Sequence, residues 1–146
     1  SVSAQALIFI QRESIMTRRE IRELIFKMVF RVEFHNEEEI PEQLRLFMDE
    51  LDTADDNDRA YIEHKVEDIL AHLPEIDETI NSSATNWKTS RMAKVELTLI
   101  RVAVYEIKYE EDVPTGVAIN EAVELAKEYG EDNSSSFVNG VLARIA

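Results

Sequence analysis

Cysteine is absent from this sequence. That excludes disulfides, thiolate metal sites and a cysteine nucleophile, and it fits a reducing compartment, with the cytoplasm as the default location. Glycine and proline occur three times each, too little turn chemistry for a many-stranded β fold, so long helices are the economical reading. Long apolar runs are missing as well. The stretch ALIFI near the start gives way at once to QRES, against the roughly 20 apolar residues that span a bilayer, and no cleavage-site pattern follows. No membrane association is expected.

Catalytic and cofactor signatures are equally scarce. His35, His64 and His72 are the only histidines, and they lack the i, i+4 spacing that brings two imidazoles to one metal. Neither a P-loop nor a GxGxxG turn occurs, so there is no phosphate-cradling or dinucleotide loop. The serine triplet Ser134 to Ser136 has no recognisable base partner and reads as a helix cap. The acidic run Glu37 to Glu39 reads as solvated surface rather than a metal cage. The expectation is no catalytic residue, no metal site and no cofactor.

What the chain does have is acid. Its 146 residues carry a net charge of −14, spread over both halves, with 9 basic against 17 acidic residues up to Leu73 and 7 against 13 after it. A generic nucleic-acid binder is normally basic. The length suits one domain that buries roughly 70% of its unfolded surface.

The few breakers divide the chain into helices. Pro41 opens one with Leu44, Phe47, Met48 and Leu51 at i, i+3, i+4 and i+7. DTADDND caps another carrying Ile62, Val66, Ile69, Leu70 and Leu73, and Pro74 opens a shorter one with Ile76 and Ile80. In AINEAVELAKEYG, Ile119, Ala122, Val123 and Ala126 share a face, and Gly130 stands at the C′ position. VELTLIRVAVYEI is rich in β-branched residues and partly alternating, which locally favours strand. Length decides against it: Ser90 to Glu111 holds no glycine or proline, longer than strands run, so a helix apolar nearly all round, and hence buried, is predicted. The fold class is all-α, about seven helices, with a seam at His72 to Pro74 that separates sub-bundles of about 16–73 and 74–146.

In MTRREIRE, Thr17 and Glu20 have capping-box spacing, while Met16 and Ile21 stand at staple positions. A helix start is thus written at Thr17, Met16 reads as an initiator, and residues 1–15 read as a leader outside the fold. One stripe of this helix, Ile21, Leu24, Ile25, Met28 and Val32, is a core face. Phe26, Phe30 and Phe34 form a second stripe, with Arg18, Arg19 and Arg22 beside it. Thr17 to Phe34 carries five basic and three acidic residues, the one clearly basic helix of the chain. Two readings fit: a phosphate-binding patch next to an aromatic surface, or a helix buried on two sides whose end carries solvated arginines.

From Trp87 onward, the pattern W..SR......LIRVAVYEI.....VP.GVAINEAVELAKEYG......FVNGVLARI closely resembles the NusB family of antitermination factors, and the arginine-bearing first helix matches that family's N-terminal motif. The resemblance spans Met16 to Ala146 and is weaker between Asn36 and Asn86. It implies an all-helical fold of two packed three-helix-like sub-bundles and a non-enzymatic RNA-binding adaptor. The implied partners are boxA RNA, the ribosomal protein NusE and the RNA polymerase antitermination complex. Carried onto this sequence, the family's RNA contacts are Arg18, Arg19, Arg22, Phe137 and Asn139, and its partner contacts are Phe30, Glu96 and Glu106. The arginines and Phe137 are expected to form one RNA-gripping face. Asn133 or a following serine is expected to cap the last helix, with Val138, Val141, Leu142 and Ile145 in its core. Gly140, costly inside a helix, asks for close backbone approach: packing against a neighbouring helix, or room for a ribose or phosphate.

This sequence departs from the family in having few basic residues ahead of the paired arginines, so RNA binding by the chain alone is expected to be feeble. Two other readings remain: a NusB-like module of a ribosomal RNA cytosine methyltransferase, although no cofactor-binding domain is present and the chain ends where NusB proteins end, and a self-associating bundle. Monomer and homodimer both stay open.

Overall fold

A computed structural model describes residues 16–51, 55–83, 86 and 88–146. The leader expected at residues 1–15 and Trp87 lie outside the described residues. Within them the secondary structure is helical throughout: α1 (Arg18–Val32), α2 (Ile40–Asp49), α3 (Asp56–Ala71), α4 (Leu73–Ser83), α5 (Lys94–Tyr109), α6 (Thr115–Tyr129) and α7 (Ser134–Ile145). The chain divides into two compact units between Leu70 and Ala71.

In the unit ending at Leu70, the sequence writes its own helix starts. Pro41 occupies the first turn of α2, where its missing N–H costs nothing. Asp55 accepts the Asp58 N–H at 2.8 Å and so caps α3 from within the predicted acidic cluster. The run Glu37–Glu39 makes a single exposed 3-10 turn. α1 packs on α2, and Ile21, Ile25, Met28, Val29 and Val32 supply the buried face of α1, with Ile62, Val66 and Ile69 buried from α3. Arg31 bridges the first pair, its guanidinium 5.4 Å from the centre of the Phe47 ring and 4.0 Å from the Glu50 carboxylate.

The unit beginning at Ala71 is arranged around α5. Ten consecutive residues of that helix, Leu97 to Glu106, are buried. α6 and α7 pack on α5 and on each other, and α4 packs on both α5 and α7. Being covered on all sides is what makes the α5 sequence read locally as strand: β-branched residues cost a helix a few tenths of a kcal/mol each, whereas burial of each side chain returns about 1.5–3 kcal/mol. Packing wins over propensity.

A buried helix cannot carry a bare charge. Arg101, 8% exposed, is met by Asp77 of α4 in a two-pronged pair, Nε to Oδ1 at 2.8 Å and Nη2 to Oδ2 at 2.7 Å. Thr98 returns its hydroxyl to the Lys94 carbonyl at 2.7 Å, the usual recourse of a threonine inside a helix. Lys108 reaches the Thr79 hydroxyl at 2.8 Å, a second link between α5 and α4. The His72 and Tyr109 rings pack with their centres 4.3 Å apart. Replacing Asp77 with alanine removes the two-pronged pair from the mostly buried Arg101 guanidinium, and urea denaturation should register a loss of about 1.5–3 kcal/mol, the range for charged hydrogen bonds.

Candidate nucleic-acid interface

The α1 start is built as its sequence predicts. The Thr17 hydroxyl accepts the Glu20 N–H at 3.1 Å and the Glu20 carboxylate accepts the Thr17 N–H at 3.0 Å, the reciprocal capping box. The bonds to the Thr17 backbone and side chain hold the Glu20 carboxyl below its ordinary pKa. This box fixes the first turn of the helix, and with it the backbone that carries Arg18, Arg19 and Arg22. Arg18 and Arg19 are exposed and Arg22 is half-buried.

Further along α1 the phenylalanines are not one surface. Phe26 is 3% exposed and belongs to the core, Phe30 is half-buried, and Phe34 is 60% exposed. Helical geometry gives the reason: a step of four residues turns the side chain about 40° beyond a full circle, so a row at i, i+4, i+8 walks out of the core. The rings still touch in sequence, 5.9 Å from Phe26 to Phe30 and 5.0 Å, edge-on, from Phe30 to Phe34. The expected aromatic surface is therefore confined to Phe34 and the outer part of Phe30. At a rise of about 1.5 Å per residue, Arg22 and Phe30 lie about 12 Å apart along the axis, which places the RNA candidates and the partner candidate at opposite ends of one helix.

In the other unit, Phe137 is half-buried and Asn139 exposed, both on α7. The helix does not begin as expected. Asn133 holds the N-cap position but makes no side-chain capping bond. The side chain that matters is Ser134, 2% exposed: its hydroxyl accepts the Glu131 N–H at 2.9 Å and donates to Glu96 Oε2 at 2.7 Å. Glu96, a candidate partner contact, thus ties α5 to the α7 start and is half-buried. Glu106, the other acidic candidate, is 2% exposed and is buried.

The same junction explains Gly130. It adopts extended backbone, φ −95°, and is the C-cap residue of α6 rather than the C′ glycine expected from its position. A Cβ there would fall 2.5 Å from Ser134 Cβ and 2.8 Å from the Ala126 carbonyl oxygen. Close approach, not backbone freedom, demands glycine. Gly140 is the reverse case. It is exposed and a Cβ built on it meets nothing within 4 Å, so the expected packing against a neighbouring helix does not occur. The Ser134–Glu96 bond was invisible in the sequence because 38 residues separate its ends; only the buried position of a serine that looked like an ordinary cap betrays it.

Among the described residues no cluster of His, Asp or Glu could hold a metal ion, and no helix is long and apolar enough to cross a membrane. An all-helical protein with an exposed arginine pair at a rigidly capped helix start in one unit, and a half-buried ring beside an exposed amide in the other, is of the class of helical binding adaptors. Residues 19–146 match the family model described as NusB family, and the chain belongs to the NusB family of transcription antitermination proteins. It is not an enzyme.

Among its relatives, the transcription antitermination protein NusB of Agathobacter rectalis is 58% identical over 90% of this chain and 100% of its own length. That of Lachnoclostridium phytofermentans is 46% identical over 89% and 98%. Of the solved structures, T. maritima NusB superposes with a TM-score of 0.81 at 37% identity, covering 90% of this chain and 91% of that one. A second chain, from a crystal structure of the antitermination factors NusB and NusE in complex with dsRNA, has a TM-score of 0.75 at 25% identity and covers 88% and 94%.

Two outcomes follow from the caps. Gly130→Ala drives a methyl group into Ser134 and the α6 carbonyl, and chemical denaturation should show a loss of about 2 kcal/mol, typical of overpacking. Because the folded-state pKa of Glu20 is lowered, its contribution to stability is present above the unfolded-state pKa and is lost as pH falls through the folded value. Wild type should accordingly be more stable than Glu20→Gln at neutral pH, and the gap between their urea midpoints should close as the solution is acidified through and below the ordinary carboxylate range.

Proposed function

We propose that this protein acts in the cytoplasm as the RNA-binding half of a two-protein antitermination assembly, gripping boxA RNA of nascent ribosomal transcripts together with the ribosomal protein NusE and delivering both to RNA polymerase. The observation that carries the proposal is the likeness, over most of both chains, to the NusB of a NusB, NusE and dsRNA crystal structure. Charge supports it from within. In a chain of net −14, Arg18 and Arg19 stand exposed on the first turn of α1.

Each residue has a role in this reading. Arg18, Arg19 and Arg22 contact phosphates, Phe137 offers a ring edge or face for a base, and Asn139 offers amide donors and an acceptor. Phe30, extended outward by Phe34, meets the protein partner. Glu96 sits at the partner surface while holding α7 in place through Ser134, and Glu106 supports α5 from inside. Three phosphate contacts are few. A single-stranded RNA neutralised by three arginines gives a log–log salt slope of only about −2, so affinity depends on NusE adding a second surface to the same RNA. The acidic remainder of the chain favours approach of a basic ribosomal protein.

In anisotropy titrations with a boxA-like RNA, the protein alone should bind weakly with that shallow salt slope, and NusE should tighten binding by about 100-fold. Arg19→Ala and Phe137→Ala should each weaken the ternary complex about tenfold, the scale of one lost charged or stacking contact. Wild-type affinity for both variants in the ternary mixture would falsify these site assignments.

A further inference from the structure

The unit that ends at Leu70 leaves a cleft open in its own packing. α2 packs on α1, but between α2 and the next helix, α3, lies a space of about 450 Å³. That falls within the roughly 300–1,000 Å³ of sites that receive ligands. On the α2 side Leu44 and Met48 line it, four residues apart and so on one face of the helix. Leu44 is half-buried and Met48 is 8% exposed. They form an aliphatic floor with a thioether that adapts its shape to what lies on it. On the α3 side Arg59, Glu63 and Glu67, again four apart, make the facing wall.

The cations bordering the cleft are already engaged. Arg45 meets Glu42 at 3.4 Å and Asp49 at 3.3 Å on its own helix, and Arg59 donates from Nη2 to the Leu51 carbonyl at 2.6 Å. The carboxylates of the wall are not. Glu63 and Glu67 are exposed and make no hydrogen bond or ion pair among the described residues. Like charges four apart on a helix repel, so this pair weakens α3 with no return from inside the unit. A polyanion is repelled here, and among the described residues no third ligand completes a metal site. An apolar floor beside two unanswered carboxylates fits a ligand that is apolar on one side and cationic on the other.

We propose that the α2–α3 cleft is a docking groove for a basic amphipathic helix of a protein partner additional to NusE, seated with an aliphatic side chain on Leu44 and Met48 and with cations on Glu63 and Glu67. Glu63 and Glu67 stand about 6 Å apart along α3. Lysines or arginines at i and i+4 of the docked helix repeat that spacing and meet both carboxylates at once, the helix-in-groove mode of recognition. None of Arg18, Arg19, Arg22, Phe30, Glu96, Glu106, Phe137 or Asn139 lines the cleft, so the RNA and NusE assignments can fail without it, and it without them.

The probe is a synthetic leucine–lysine amphipathic peptide of about 15 residues, the length at which an isolated helix begins to hold, titrated into the full chain carrying methyl-labelled methionine. Binding should saturate and shift the Met48 methyl resonance, which Met48→Leu identifies. Reversing the wall with Glu63→Lys and Glu67→Lys together should weaken the peptide about tenfold or more. The same charge change at two exposed carboxylates of α4, Glu75→Lys with Glu78→Lys, should leave its affinity within about twofold. Equal weakening by the two pairs would show attraction to bulk acid and overturn the proposal. A still Met48 resonance, a failure to saturate, or equal affinity for a peptide with serine in place of leucine would overturn it as well. Displacement of the peptide by saturating NusE would give the groove to NusE, and displacement by the boxA-like RNA would give it to nucleic acid; either result sinks the assignment to a further protein.

Discussion

Ten residues in a row without solvent, Leu97 to Glu106 of α5, set the terms for the unit that begins at Ala71. A helix can be covered on all sides only if other helices surround it, and α4, α6 and α7 do so. Every polar group on it then needs an internal partner, because an unpaired charge in such a place costs several kcal/mol. The Asp77 carboxylate answers Arg101 and thereby fixes α4 against α5. Ser134 answers Glu96 and fixes the start of α7. The position of the helix that presents Phe137 and Asn139 is thus a consequence of how α5 is buried.

The junction of α6 and α7 shows how little separates a structural from a functional residue here. Gly130, Glu131, Ser134 and Glu96 form one interlocked turn: the glycine makes room for the serine, and the serine binds both the turn and the neighbouring helix. Glu96 is only half-buried by this arrangement, so its carboxylate orders the fold while part of the residue stays open to solvent.

Charge placement carries the rest of the functional logic. A protein with nearly twice as many acidic as basic residues, 30 against 16, repels RNA over most of its surface. In the binding reading proposed above, RNA contact falls to the arginines at the start of α1 and to α7, and repulsion elsewhere sharpens the discrimination. The same excess favours a basic protein partner, which brings the cations this chain lacks.

Local signals in the sequence were enough for the helices and for the starts of α1, α2 and α3. The Thr17–Glu20 box, Pro41, the Asp55 cap and the proline at Pro74 act within a few residues, and the interactions they encode form within one turn of chain. Even α5 yielded, because the absence of breakers over more than 20 residues outweighed its strand-like composition. What only the tertiary structure decided are the contacts between distant segments: that Phe26 is core and Phe34 is surface, that Ser134 is a buried link rather than a simple cap, that Glu106 points inward, and that Gly130 rather than Gly140 is the tightly packed glycine. Spacing along a helix says which side chains share a face, but which face is covered depends on neighbours that arrive from elsewhere in the chain.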